Sequence, residues 1–224
     1  MQVERDRSAR NPEATFRVPE YIPIFPLPNV VFFPRASLPL HIFEPRYREM
    51  CADANASGQC IGMALLKEGW EQDYYGNPPI FAVGCVGRLA GVHRLPDGRL
   101  NIVLQGLQRY EIQEQLYGKS YRQARITLKP SGAGGVLEPS VKSELVRLLT
   151  QYLRAREVGY QWREFCRPDV EDEILVNNLS AYLDFTPLEK QFLLEAESLL
   201  QQARRLSDLI QFKIHEWGGA RGLG

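Results

Sequence analysis

Histidine and cysteine are scarce in this chain, and their spacing excludes the common metal sites. Among 224 residues there are three histidines and four cysteines. The cysteines, Cys51, Cys60, Cys85 and Cys166, form no C-x-x-C pair, and no group of cysteine and histidine has the spacing of a zinc site. We therefore expect free thiols, and we predict neither a metal nor any other cofactor.

The chain also lacks a net charge and a long apolar run. Its 27 basic and 27 acidic side chains cancel, which argues against duplex DNA or an anionic membrane as a partner. No stretch is long enough to span a bilayer, and Met1–Pro12 lacks the apolar core of a secretory signal. We expect a cytoplasmic protein with no membrane partner.

Motifs of the common nucleotide-binding proteins and hydrolases are missing. Gly118–Ser120 reads G-K-S, like the end of a phosphate-binding loop, but Gln113 stands where that loop needs its first glycine. No G-x-S-x-G motif occurs, and His215 lacks the second histidine of a zinc protease. We therefore predict no catalytic residue.

A run dense in both proline and apolar residues extends from Ile22 to Met50. Proline fixes φ and removes a backbone donor, so this run cannot form one helix. It predicts three short buried strands, at Ile22–Phe25, Val30–Phe33 and Leu38–Ile42. Pro45 suits the first helical position, where a missing N–H costs no hydrogen bond, and this predicts a helix from Pro45 to about Ala56.

Further short apolar runs predict more strands up to about Lys129. These runs are Gly62–Leu66, Ile80–Val86, Arg88–Val92, Leu100–Gln105, Arg109–Gln115 and Arg122–Leu128. Asp97-Gly98 between two of them is typical of a hairpin turn, because glycine tolerates a positive φ. Gly69–Pro79 predicts a long loop with three aromatic residues, and binding residues are often found on such loops.

After this β-rich part the apolar periodicity becomes that of amphipathic helices. Ser131–Gly135 predicts a flexible linker, and Thr186–Glu189 (T-P-L-E) is a capping box that predicts the start of a helix. The last apolar stripe is predicted to end at Gly218–Gly219. The predicted organisation is a flexible tail over 1–17, a β-rich part over 18–130, a linker over 131–140, a helical part over 141–217 and a flexible tail over 218–224.

The proline-rich run resembles the start of the amino-terminal substrate-binding domain of Lon proteases, which is also found as a stand-alone module. The segments that carry this resemblance are Phe25–Leu27, Val30–Pro34, Leu38–Leu40 and His41–Arg48. Three later segments agree, namely Val83–Leu89, Leu95–Leu100 and Gln105–Tyr110, and a weaker one is Leu183–Gln191. The resemblance covers about Val18 to Trp217.

The resemblance implies an α+β fold, with a PUA-like, barrel-like β subdomain that carries one helix and is followed by an α-helical bundle. It also marks a set of signature residues for which we expect structural roles. They are His41, Glu44, Pro45, Arg46, Tyr47, Asp97, Gly98, Gly106 and Arg109.

The function implied by the resemblance is the binding of polypeptide clients, or of a partner protease or chaperone, without catalysis. The ATPase and Ser–Lys protease domains of Lon proteases are expected to be absent. Aromatic residues suit such binding, whether in a groove facing the helical bundle or by strand addition at a sheet edge. The candidate binding residues are Phe32, Phe33, Trp70, Tyr74 and Tyr75.

Three alternatives stay open at this point. The aromatic loop could fold back and bury its own side chains. The chain could be an accessory part of an ATP-dependent protease. Because PUA-like folds can bind RNA, an RNA or small-molecule binder is the third alternative, although the absence of net charge counts against RNA.

Overall fold

The computed structural model describes residues 16–130, 135–155, 167 and 169–221. Within them the chain forms a mixed six-stranded sheet and five α-helices, which confirms the predicted α+β class. The elements in chain order are β1 (Tyr21–Leu27), β2 (Ser37–Ile42), α1 (Pro45–Ala56), β3 (Cys60–Leu65), β4 (Val83–Arg94), β5 (Leu100–Leu116), β6 (Arg122–Leu128), α2 (Pro139–Ala155), α3 (Asp172–Tyr182), α4 (Pro187–Leu194) and α5 (Leu199–Arg221).

Strand β5 organises the sheet because its 17 residues are enough to pair with three other strands. It runs antiparallel to β2 and β4 along its first part and to β6 near its end. Strand β3 joins β4 to β1 through one antiparallel and one parallel pairing, and β1 pairs with β6. Five strands therefore close into a barrel, and β2 lies outside it as an edge strand in the described part of the chain.

Several local predictions are confirmed. Helix α1 spans Pro45–Ala56, with Pro45 in its first turn. Thr186 and Glu189 make both hydrogen bonds of a capping box at the start of α4. In the turn between β4 and β5, Gly98 has a φ of +83°, which glycine adopts without strain.

The strand predicted over Val30–Phe33 is wrong. These residues belong to an irregular segment that turns at Arg35, where φ is +63°. Backbone hydrogen bonds at the turn connect the segment to β5. The Arg35 N–H donates to the Gly106 carbonyl at 2.9 Å, and the Gly106 N–H donates to the Ala36 carbonyl at 2.8 Å. Gly106 is needed here because a Cβ would collide with the carbonyl of Phe33.

Strands β4 and β5 are each longer than predicted. Strand β4 joins the runs predicted on either side of Gly87, and β5 joins those predicted on either side of residues 106–108. Register shifts lie between Val86 and Gly87 and between Leu89 and Gly91. Such bulges let a strand bend without ending, so a break in the apolar pattern is not a break in the strand.

The helices and the sheet share one hydrophobic core. Its buried residues come from the β part, for example Phe33, Met63 and Leu104, and from the helices, for example Leu149 and Leu206. A smaller cluster, which includes Ile22, Ile24 and Tyr110, lies within the β part. The two predicted parts are therefore packed against each other through apolar side chains.

The end of α5 was predicted wrongly, since the helix continues to Arg221 and not only to Gly218–Gly219. The described residues exclude 1–15 of the tail predicted over 1–17, 131–134 of the linker predicted over 131–140 and 222–224 of the tail predicted over 218–224. Among the helices that the structure describes, none combines the length and the apolar character needed to cross a membrane.

Candidate functional site

A cleft with a volume of about 230 Å³ lies where three segments meet: the start of α1, the Gly69–Pro79 loop and the connection from β5 to β6. Its walls are mixed, with aromatic rings, prolines and cations. The lining residues are Pro26, Arg46, Tyr47, Leu66, Tyr74, Tyr75, Gly76, Asn77, Pro78, Tyr117, Lys119, Ser120, Tyr121 and Arg122.

Five tyrosines line this cleft, at different depths. Tyr47 and Tyr121 are each 5% exposed and belong to the core, whereas Tyr75 is 86% exposed and Tyr117 is 63% exposed. Tyr74 is partly buried between these groups. The exposed rings therefore form part of the wall without being needed to fill the core.

The first turn of α1 positions Arg46 among three of these rings. The Arg46 guanidinium carbon lies 4.6 Å from the ring centre of Tyr47, 5.3 Å from that of Tyr74 and 5.9 Å from that of Tyr75. These are cation–π distances. The Arg46 Nε also donates to the Glu44 carboxylate at 2.9 Å, so the two residues form an ion pair.

Glu44 joins α1 to the aromatic loop. Its second carboxylate oxygen accepts a hydrogen bond of 2.7 Å from the Tyr74 hydroxyl. Burial and this hydrogen bond raise the pKa of Tyr74. Burial also raises the pKa of Tyr47 to about 12, although the Arg46 charge opposes the effect. Both hydroxyls therefore stay protonated at neutral pH and can act as donors.

Edge-to-face contacts between aromatic rings hold the Gly69–Pro79 loop in shape. Gly69, with a φ of +83°, precedes a short 3₁₀ helix over Trp70–Asp73. The Trp70 and Tyr74 ring centres are 5.6 Å apart, and those of Tyr74 and Tyr75 are 5.1 Å apart, both in edge-to-face geometry. Such pairs add to the stability of a loop beyond the area that they bury.

The connection from β5 to β6 forms the opposite wall and is held by carboxylates of α1. Lys119 pairs with Asp53 at 3.1 Å, the Tyr121 hydroxyl donates to the same carboxylate at 2.6 Å, and Ser120 donates to Glu49 at 2.7 Å. The hydrogen bonds from Tyr121 and Lys119 lower the pKa of Asp53. Lys119 and Ser120 are thus each engaged with a different acid.

The predicted binding residues divide into three groups. Tyr74 and Tyr75 line the cleft, and Trp70 packs beside it against Tyr74. Phe32 and Phe33 are 3% and 0% exposed. Their prediction as binding residues is wrong for this fold, because both rings are part of the shared core and present no surface to a client.

The location predicted for the groove also differs from the structure. Among the described residues, the lining of the cleft includes none from the helical part. Sequence reasoning missed Tyr117 and Tyr121, which lie in a short polar connection between two predicted strands, and Arg122, the first residue of the second strand. Two tyrosines and two cations within Tyr117–Arg122 were the available signal.

The signature residues have separate places in the fold. Glu44, Pro45, Arg46 and Tyr47 build or adjoin the cleft wall. Near the turn between β4 and β5, His41 Nδ1 lies 2.7 Å from the Asn101 side-chain oxygen, and Asp97 pairs with Arg99 at 2.6 Å. Gly106 lies against Phe33, and Arg109 extends from β5 to the helical part.

The described cysteines are buried free thiols. Burial raises the pKa of Cys51 and of Cys60 to about 11, although the Arg88 charge slightly opposes the effect at Cys60, and burial raises the pKa of Cys85 further. Protonated, buried thiols are inert. In the part of the chain that the structure describes, no group of acidic, histidine or cysteine side chains could hold a metal ion.

Comparison with known proteins identifies the architecture. The family model of the ATP-dependent protease La (LON) substrate-binding domain matches residues 21–211. The chain belongs to this family. The match covers the substrate-binding domain of Lon proteases and neither the ATPase nor the protease domain.

Relatives of this Lon substrate-binding-domain chain include Lon proteases that are much longer than the chain. It is 26% identical over 200 residues to the Lon protease of Cytophaga hutchinsonii, covering 88% of the chain and 24% of that protease. It is 27% identical over 195 residues to the Lon protease of Flavobacterium johnsoniae, covering 83% of the chain and 23% of the protease. The chain thus spans about a quarter of the length of these curated relatives.

Solved structures with the same fold include Lon N-terminal domains. The domain from the Mycobacterium avium complex Lon protease superposes with a TM-score of 0.65 at 19% identity, over 85% of this chain and 98% of that one. A Lon N-terminal domain protein from Xanthomonas campestris gives 0.62 at 21% identity, over 85% and 97%. The expected fold of the substrate-binding domain is confirmed.

Proposed function

We propose that this chain binds unfolded or extended polypeptide through the tyrosine-lined cleft. The observation that carries the proposal is a cleft lined by five tyrosines, two of them largely exposed, in a Lon substrate-binding-domain fold. Tyrosine offers a large contact area with a polar group at its tip and loses few torsional degrees of freedom on binding. These properties suit the recognition of varied peptide segments.

The proposed role is recognition, with no bond-making step in the cleft. A serine–lysine pair requires the serine hydroxyl to lie within hydrogen-bond reach of the lysine amine. Ser120 donates to the Glu49 carboxylate at 2.7 Å and Lys119 pairs with Asp53 at 3.1 Å, so each side chain has a different partner. Clients, or a partner protease or chaperone that receives them, are the expected partners, and a cytoplasmic location stays a prediction.

Edge strand β2 is a second surface that could contribute to binding. An apolar depression beside it is lined by Pro39, Leu40, Val92 and Val103, among others. Pro39 lies within β2 and removes one backbone donor from this edge. Strand addition at β2 would therefore be interrupted at one position, so we assign the main role to the cleft.

The cleft is tested by replacing its two most exposed rings. We expect the double variant Tyr75→Ala and Tyr117→Ala to bind unfolded polypeptide at least about tenfold more weakly, because aromatic anchors dominate such interfaces. Both rings lie outside the core, so folding should be preserved. Affinity is measured by fluorescence anisotropy with labelled lactalbumin that has been reduced and carboxamidomethylated to keep it unfolded.

The matched control is Phe212→Ala on α5, which removes another exposed aromatic ring, 56% accessible, away from the cleft. It should leave affinity unchanged. If the cleft variant and the control bind as well as the original chain, the cleft is not the polypeptide site.

A further inference from the structure

One cation of the cleft has no acidic partner among the described residues. The other two, Arg46 and Lys119, each pair with a carboxylate. Arg122 is only 7% exposed, and its Nη2 donates to the Pro78 carbonyl at 2.7 Å. Because a guanidinium carries five N–H donors, most of its donors have no protein acceptor in the described structure.

A buried cation without a counter-charge is costly. Burial lowers the pKa of Arg122, while Tyr117, Tyr47 and the Asp73 carboxylate, which forms no ion pair with it, oppose this effect and Arg46 adds to it. A guanidinium nevertheless stays charged in proteins. The cleft therefore contains a fixed, largely desolvated positive charge that a negative group on a ligand would balance.

The shape of the cleft limits what that ligand can be. Its volume of about 230 Å³ is below the roughly 300–1,000 Å³ of a pocket for a whole small molecule. It suits one end or one side chain of a longer molecule. The tyrosine rings around it favour an apolar or aromatic group next to the negative charge.

We propose that the cleft recognises a carboxylate of the bound polypeptide, with the Arg122 guanidinium as its anchor. Arginine matches a carboxylate through two parallel hydrogen bonds, and these are stronger than neutral ones. The inference rests on the proposed function of the cleft, for which it specifies the chemical group that is read. The carboxylate can come from a free C-terminus or from an acidic side chain.

Four labelled peptides separate these two sources. They share one disordered sequence that ends in phenylalanine, with a terminal carboxylate or carboxamide and with an internal glutamate or glutamine. We expect the peptide with both carboxylates to bind at least about tenfold more tightly than the peptide with neither. A loss caused by amidation identifies the C-terminus, and a loss caused by glutamine identifies the side chain. Equal affinity of all four would overturn the inference.

Variants then test the anchor itself. Arg122→Gln should abolish the preference for a carboxylate while the tyrosines retain weak binding. Arg125→Gln is the matched control, because Arg125 lies on the same strand, is more exposed and already pairs with Glu114 at 3.5 Å. A preference that persists in Arg122→Gln would exclude Arg122 as the anchor.

The comparison of peptides uses the unmodified chain, so it decides the inference even if Arg122→Gln fails to fold by circular dichroism. The two proposals also fail differently. If all four peptides bind equally but binding depends on Tyr75 and Tyr117, only the carboxylate inference is wrong. If unfolded lactalbumin does not bind at all, the proposed function is wrong.

Discussion

Arg109 is a single residue that joins the sheet to the helices. It is 6% exposed, and its Nη1 donates to the carbonyls of Leu194, at 3.3 Å, and Ala196. Leu194 is the last residue of α4 and Ala196 follows the helix, at the end where a helix leaves acceptors without a partner. A cation is also favourable at this end of a helix. The structural role expected for this signature residue follows from these contacts.

We expect Arg109→Met to lower the free energy of unfolding by about 2–3 kcal/mol, because two buried acceptors lose a charged donor. Urea denaturation followed by circular dichroism measures the change. Arg94→Met, at an exposed position on β4, is the control and should change stability by less than about 0.5 kcal/mol. Equal effects of the two substitutions would contradict the role assigned to Arg109.

At the scale of elements, Asp172 connects the starts of α2 and α3. It is the first residue of α3, and its carboxylate accepts hydrogen bonds of 2.7 Å from the Leu137 N–H and from Lys142 on α2. Burial alone would raise the pKa of Asp172. The hydrogen bonds from Lys142 and Leu137 outweigh this effect and hold the pKa below its usual 3.8.

A carboxylate with a lowered pKa stabilises the fold above its unfolded pKa, and that contribution is lost as the pH falls through the folded value. We therefore expect Asp172→Asn to lower the free energy of unfolding by about 1–2 kcal/mol at pH 7. The difference from the original chain should shrink as the pH falls below the usual value of 3.8. Urea denaturation at a series of pH values measures it.

Asp208→Asn is the control for this pH dependence, since Asp208 is exposed on α5. It should have little effect at any pH. A difference between Asp172→Asn and the original chain that stays constant down to acidic pH would contradict the ion pair as its cause.

At the scale of the whole molecule, the sheet and the helices should unfold together. They share one core, which contains Phe33 and Leu104 from the β part and Leu149 and Leu206 from the helices. Separating the two parts would expose this apolar surface to water, at a cost of roughly 25 cal/mol for each Å². A packed interface of this kind favours one cooperative transition.

We expect a single unfolding midpoint for both parts in urea. Pulsed hydrogen exchange with mass spectrometry tests this, by comparing peptides from β4 and β5 with peptides from α3 and α5. Coincident midpoints are the expected result, because neither part keeps a complete core alone. Two separate midpoints would mean that the helical part is an independent domain.

Much of the local structure could be predicted from the sequence because its signals act over a few residues. Pro45 at the first helical position predicts the start of α1, the Thr186–Glu189 capping box predicts the start of α4, and Asp97-Gly98 predicts a hairpin turn. The proline-rich signature predicts the family. The signals for the two helix starts and for the turn depend on φ preferences or on hydrogen bonds between near neighbours in the chain.

The position of the cleft and the burial of Phe32 and Phe33 were decided only by the tertiary structure. The sequence of an aromatic-rich segment does not show whether its rings pack into the core or line a surface that faces solvent. Tyr75 and Tyr117 are 42 positions apart in the chain and line the same cleft only because β5 and β6 return the chain to α1. Local sequence therefore determined the elements and the family, and long-range packing determined which aromatic and charged side chains form the binding surface.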